Sequence, residues 1–291
     1  MKPKGDSRPR TMILVAPSVI VLLLWMIVPL AMTLWFSFQR YNLLNPMIKG
    51  FAGVQNYRFL LEDPALLTAM LNTLLLVGWV LVLTIVLGTL LAVLYDQPFW
   101  GNGICRVLVI APFFVMPTVS ALIWKNLLMH PVNGFMAFLA KSTGLAPIDW
   151  FTDIPLTSIV LIVAWQWVPF AFLILLTAIQ SLDDEQKEAA RIDGAGPIAF
   201  FFYIIVPHLR RAISVVIMIE TIFFLTIFAE IFVTTSGGPG LATTNLAYFI
   251  YIKALLEFDI GFASAGGVIA IILANIVAIF LVRTVARTLE V

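Results

Sequence analysis

Charge is what this sequence has least of. Only 11% of its 291 residues are Asp, Glu, Lys or Arg, where ordinary soluble domains carry about 25%. With a mean hydropathy of +1.04, the chain has more apolar surface than a water-soluble fold can hide. Cysteine is nearly absent as well. Cys105 stands alone, so no internal disulfide can brace the fold. No G-x-x-x-x-G-K-[ST] segment occurs, so ATP has no phosphate-cradling loop of that type here and any ATP chemistry is expected on another chain. The two histidines, His130 and His208, stand alone near predicted membrane boundaries. Metal sites need clustered ligands, so none is expected. No nucleophile cluster points to a membrane enzyme, and the net charge of +1 gives no sign of a nucleic-acid partner.

What the chain has is long apolar runs. Six reach or approach the roughly 20 residues that cross a bilayer core. They fall at about 12–36, 69–94, 104–128, 155–179, 208–233 and 262–287. Backbone groups in lipid must bond internally, so each is expected to be a helix. The fold class is therefore all-α, a polytopic membrane protein. Prolines interrupt several runs: Pro17 and Pro29, Pro112 and Pro117, and Pro169. Each removes a helix hydrogen bond and favours a bend. The first run has a basic start, like a secretory signal. Its apolar stretch is much longer than the usual 7–15 residues and no A-x-A site follows, so it reads as a membrane helix.

Lys and Arg set the orientation. With the N-terminus in the cytoplasm, that side holds Lys2, Lys4, Arg8, Arg10, Arg106, Lys187, Arg191, Arg210, Arg211, Arg283 and Arg287. The outer side holds Arg40, Lys49, Arg58, Lys125, Lys141 and Lys253. Eleven against six favours this arrangement and puts both termini inside. Residues 1–11 are then a cytoplasmic tail, and 12–291 a single transmembrane domain.

One cytoplasmic loop, about 181–207, is unusually polar. Ser181-Leu182-Asp183-Asp184 fits the [ST]-x-x-[DE] capping pattern, which places Ser181 as the cap of a short helix running to about Arg191. Its acidic start suits the helix dipole. Gly194 can end it in the left-handed conformation, and Pro197 fits the first turn of the next helix. On these grounds alone, a docking surface and an ordinary solvated loop helix stand level.

The spacing adds a resemblance. Glu188-Ala189-Ala190, Gly194, Ile204 and Val206-Pro207 resemble the EAA motif of ABC importer permeases, with Val206 where the family pattern has Leu. Residues 51–57, FAGVQNY, and 236–252, SGGPGLATTNLAYFIYI, are similar to outer segments of carbohydrate permeases of the maltose F-subunit and glycerol-phosphate A-subunit type. The similarity covers nearly the whole chain. It implies a type I importer permease fold, with Glu188, Ala189, Ala190, Asp193 and Gly194 contacting an ATPase dimer. ATP and Mg would be bound on that dimer, and this chain would be a translocation subunit and no enzyme. The other implied partners are a second, related permease, an extracytoplasmic solute-binding protein, and a sugar or polyol substrate. The implied location is a bacterial inner membrane. The C-terminal half looks most like permeases for sorbitol, mannitol and related polyols.

Gap-free counting from the motifs places the family's sugar-contacting positions at Trp167, Phe170, Glu220, Phe223, Phe224 and Ile227. Amides of the maltose type become Phe224 and Ile227 here, which argues against maltose. Charges inside spans are costly and usually functional. Glu220 can accept hydrogen bonds from substrate hydroxyls or pair with a cation of the partner permease, and the sequence leaves both open. Glu230, ten residues on, would lie about 80° away if both share one helix. An ion-coupled secondary transporter using Glu220 and Glu230 is the alternative class. The absence of an evident inverted repeat weighs against it.

Overall fold

An apolar chain in lipid can satisfy its backbone with helices, and this chain does so almost throughout. The computed structural model describes residues 8–47 and 49–289. In order, the elements are α1 (Arg8–Ser37), strands β1 (Gln39–Arg40) and β2 (Gly50–Phe51), α2 (Gln55–Glu62), α3 (Pro64–Asp96), α4 (Asn102–Ile110), α5 (Pro117–Ile123), α6 (Phe135–Ser142), α7 (Trp150–Asp153), α8 (Pro155–Gln180), α9 (Asp184–Ile192), α10 (Pro197–Phe200), α11 (Val206–Phe224), α12 (Ala229–Thr234), α13 (Leu246–Tyr251) and α14 (Ile260–Leu289). Five helical stretches are long and apolar enough to cross a membrane, and a sixth span is made if the broken pair Asn102–Phe114 and Pro117–Leu128 counts as one.

That pair is the third expected span, in which Pro112 and Pro117 favoured a bend; here the run is broken outright. Its halves are bent by 106°. Val115 and Met116 are extended, Pro112 lies in the tight turn Ala111–Phe114 that ends the first half, and Pro117 starts the second. Proline at those points has no N–H to continue the ladder. The fifth span also stops early. Helix α11 ends at Phe224 and α12 begins only at Ala229. Glu220 and Glu230 therefore do not share a helix, and the 80° relation does not apply. Three wider turns interrupt helices: Met129 N–H bonds Trp124 C=O (2.7 Å), Val206 N–H bonds Phe201 C=O, and Glu257 N–H bonds Ile252 C=O (2.9 Å).

The chain forms two compact units. One comprises residues up to Asp63 with Ile250–Ile271. Here the FAGVQNY segment acts as a tie. Asn56 Nδ2 donates to the carbonyls of Ser37 (2.8 Å) and Gln39 (2.9 Å), and the Tyr57 hydroxyl donates to Ser37 Oγ (2.7 Å). The antiparallel pair β1–β2 sits beside this tie, with Gln39 opposite Phe51. A Cβ on Gly261 would lie 2.3 Å from the Gln39 carbonyl, so only glycine lets these backbones meet.

The other unit comprises Pro64–Phe249 with the chain from Ile272 onward. Helices α3 and α8 pack along their length. A Cβ on Gly88 would come within 2.8 Å of the Ala171 Cβ, so the missing side chain sets their closest approach. Around it lie the buried Ala92, Phe172, Leu175 and Leu176. The opposite face of α3 leaves Val82, Val86, Leu90 and Leu94 exposed, as a helix meeting lipid or another apolar surface requires.

The segment after α12 is fastened to α3. Asn72 Nδ2 donates to the carbonyls of Leu241 (2.9 Å) and Thr244 (3.0 Å), and Thr73 Oγ1 accepts from Leu246 N–H (2.9 Å). Thr244 Oγ1 donates to the Gly237 carbonyl (3.0 Å), and Asn245 Nδ2 donates to the Ile227 carbonyl. Thr243, Thr244 and Asn245 are buried. The GGP segment is thus a fixed structure rather than a loose loop.

Candidate functional site

Two features answer the positions singled out from the sequence. The first is an aromatic cluster where the broken span meets α8 and α11. Trp167 is its hub. Its ring lies 4.9 Å from Phe223, 5.4 Å from Phe224, 5.5 Å from Phe113 and 5.8 Å from Phe170, centroid to centroid. Phe113 stacks on Phe170 at 5.8 Å and 24°, and Phe114 stands edge-on to Phe113. Phe224 is fully buried and anchors the cluster, whereas Phe223 is 53% and Phe114 77% exposed. One side of the cluster is packing and the other an open aromatic wall.

The break that presents Phe113 is itself supported. Gln166 Nε2 donates to the Val115 carbonyl at 2.6 Å. Irregular backbone at membrane depth needs such a partner. Gln166 is almost completely buried, and its Oε1 has no hydrogen-bond partner among the described residues.

Four of the six predicted positions, Trp167, Phe170, Phe223 and Phe224, come together. Glu220 and Ile227 do not join the open wall. Glu220 is fully buried and faces α3, where Thr84 Oγ1 donates to its Oε2 at 2.6 Å. Its other oxygen has no partner among the described residues. Ile227 is buried in the break after α11, under the bond its carbonyl accepts from Asn245. Phe113 and Phe114 were missed by the sequence reading. The signal available was the Pro112–Pro117 pair flanking two aromatics, because a span broken there must turn side chains toward protein or a cavity.

Glu220 therefore ties α11 to α3 within this chain. Glu220→Ala removes the cross-helix acceptor of the Thr84 hydroxyl, leaving it only the Leu81 carbonyl of its own helix at 3.1 Å, and leaves a cavity. The expected cost is about 2–4 kcal/mol of stability. Thermal unfolding of the detergent-purified chain should show a clearly lower midpoint, and an unchanged midpoint would dismiss the tie.

The second feature is the polar helix α9 and its flanks. The Asp183 carbonyl accepts from Gln186 N–H (3.1 Å) and Lys187 N–H (3.3 Å), so the helix starts there rather than at Ser181. Ser181 does not cap it. Its hydroxyl donates backward to the Ala178 carbonyl at 2.7 Å. Gly194 is left-handed as expected, at φ +77°, and Ala195 N–H closes onto the Ala190 carbonyl at 2.9 Å. Pro197 opens α10. Glu188, Ala189, Asp193 and Gly194 are exposed. Ala190 is only 7% exposed and turns into its own chain. Ile192, not singled out from sequence, is 85% exposed on the same helix. The helix thus presents charged side chains and one protruding Ile to solvent.

Residues 84–291 match the family "Binding-protein-dependent transport system inner membrane component". The chain belongs to this family. It is 33% identical to "Probable ABC transporter permease protein y4oQ" of Sinorhizobium fredii, over 86% of this chain and 81% of that one. It is 28% identical to the sn-glycerol-3-phosphate transport system permease protein UgpA of Pectobacterium atrosepticum, over 94% of this chain and 93% of that one. Its fold is that of a chain in a bacterial ABC transporter involved in the import of the acidic polysaccharide alginate, with a TM-score of 0.81, 21% identity and 96% of each chain covered. As a member of this binding-protein-dependent family, the chain is a polytopic inner-membrane component with an importer permease fold.

Proposed function

We propose that this chain is one membrane subunit of an ATP-driven, binding-protein-dependent importer for a neutral sugar or polyol, with sorbitol or mannitol as the best candidates. Residues 12–291 act as one permease domain, both termini lie in the cytoplasm, and a second related permease completes the pathway. Helix α9 docks on an ATPase dimer through Glu188, Ala189, Asp193 and Ile192. ATP and Mg belong to that dimer, and a solute-binding protein delivers substrate from outside. The observation that carries this reading is the exposed polar helix closed by left-handed Gly194, in a chain of this family.

The open aromatic wall of Phe113, Phe114, Trp167, Phe170 and Phe223 supports the substrate class. Flat rings suit the apolar faces of a sugar or the carbon chain of a polyol. The cluster contains no Lys or Arg, and the nearest charge along α11 is the acid Glu220. A phosphate or uronate would meet no cation there, which favours a neutral solute. The test is uptake of labelled sorbitol, mannitol, sugars and glycerol phosphate into vesicles holding the full set of subunits. ATP-dependent uptake of a neutral polyol or sugar is expected. Uptake by this chain alone, driven by a proton gradient, would overturn the reading, and uptake confined to an anion would overturn the neutral assignment.

A further inference from the structure

Sequence alone leaves His208 solitary, and the structure gives it partners. It is the third residue of α11. Its Nε2 lies 2.9 Å from the carbonyl oxygen of Ala178, in the last turn of α8, and 3.2 Å from Ser181 Oγ. A carbonyl can only accept, so Nε2 carries the proton and donates it. The Ala178 oxygen is one of the acceptors a helix C-terminus leaves open. Three donors converge on it: His208 Nε2, Ser181 Oγ at 2.7 Å and Ser181 N–H at 3.2 Å.

The position of this bond matters more than its strength. Residues 178 and 208 bracket the whole excursion that carries α9, and the His208 side chain bonds across its base. Beneath the bond, Ile179, Leu182, Ile205 and Leu209 are all buried. Apolar packing holds the two helix ends side by side but allows sliding, because burial is non-directional. A hydrogen bond adds direction. The chain just before α11 has a wide turn, Phe201 to Ile205, a local departure that often marks functional sites. Without a tie across the base, motion of α9 could be absorbed in that turn and in residues 181–183.

We propose that His208 is a positioning residue for coupling: its Nε2–H, with Ser181, ties the end of α8 to the start of α11, so that displacement of α9 moves both helices as one body. This rests on the importer reading above. The tie acts on how much of the ATPase's motion reaches the membrane, not on whether the ATPase binds.

The test uses the complete importer in proteoliposomes, with import and ATP hydrolysis measured in the same vesicles. His208→Ala is expected to keep normal subunit yield and ATPase activity, while import per ATP falls about fivefold, the size of one typical net hydrogen bond. His208→Gln places an amide N–H near the Nε2 position and should restore most of the ratio. Ser181→Ala should lower it less than His208→Ala, because Nε2 keeps its acceptor. A His208→Ala importer with the wild-type ratio overturns the proposal. So does an equal fall of import and hydrolysis with the ratio unchanged, which is the signature of a purely structural role. Failure of His208→Gln to rescue also overturns it. If the wild-type vesicles show no ATP-driven import, the importer reading fails and this proposal falls with it, an outcome visible before any variant is compared.

Discussion

Gly194→Val is expected to leave the chain in the membrane and its complex assembled, while import per ATP hydrolysed falls by about thirtyfold. Gly194 sits at φ +77°, where a side chain costs about 1–2 kcal/mol. A β-branched residue falls at the upper end, and about 2 kcal/mol is roughly thirtyfold. Apart from Gly194 and its chain neighbours, no heavy atom among the described residues lies within 4 Å of a Cβ built there. The cost is thus one of backbone conformation, not of collision. The chain can relieve it only by re-aiming the turn, which breaks the Ala195–Ala190 bond and rotates the end of α9. Gly194→Asn, which tolerates the left-handed region, should retain most coupling. Paired import and hydrolysis measurements decide it: a valine variant with the wild-type ratio would show that the turn does not aim the helix.

Trp167→Ala is the second large effect. Trp167 makes ring contacts with Phe113, Phe170, Phe223 and Phe224. Aromatic pairs contribute about 0.5–1.5 kcal/mol each beyond area burial. Four pairs at the low end give about 2 kcal/mol, roughly thirtyfold in import rate at saturating binding protein. Trp167→Phe keeps a ring and should recover part of the loss. Affinity of the isolated binding protein for substrate should not change. Import by Trp167→Ala within twofold of wild type would remove the aromatic wall from the pathway.

Both variants lie in features that the sequence disclosed unequally. Helix α9 was legible because its signals are local. A polar run among apolar ones, a glycine after it and a proline three residues later fix its existence and its end from neighbouring residues alone. Which alanine faces outward was not legible. Ala189 and Ala190 are identical in composition, and only packing against the rest of the chain turns Ala190 in. Likewise, Ser181 fitted a capping pattern, but its hydroxyl found the Ala178 carbonyl behind it before any amide ahead.

The long spans were legible from hydropathy, and the breaks inside them were not. Pro112 and Pro117 announced a bend without its size, since a proline kinks one helix and ends another. The stop after Phe224 has no proline or glycine within residues 225–228 to announce it. Glu220 shows the limit most clearly. Its partner Thr84 is 136 residues away in the chain, so no spacing rule could pair them. The aromatic cluster was legible in the four positions carried by the family resemblance, while Phe113, which a backbone break delivers from another span, was signalled only by the flanking Pro112 and Pro117.

The fastened GGP segment has a consequence for whatever touches it. Fixing a residue's backbone costs roughly 1–2 kcal/mol in lost freedom. For a loose stretch the length of residues 236–245, a visiting molecule would have to meet that cost at every encounter. Here Asn72 and Thr73, acting from α3, have met it once, when the chain folded. A partner arriving at this surface faces a stiff template, so even sparse and short-lived contact can be productive. In the importer proposed above, that stiffness would suit a solute-binding protein that must let go after each delivery.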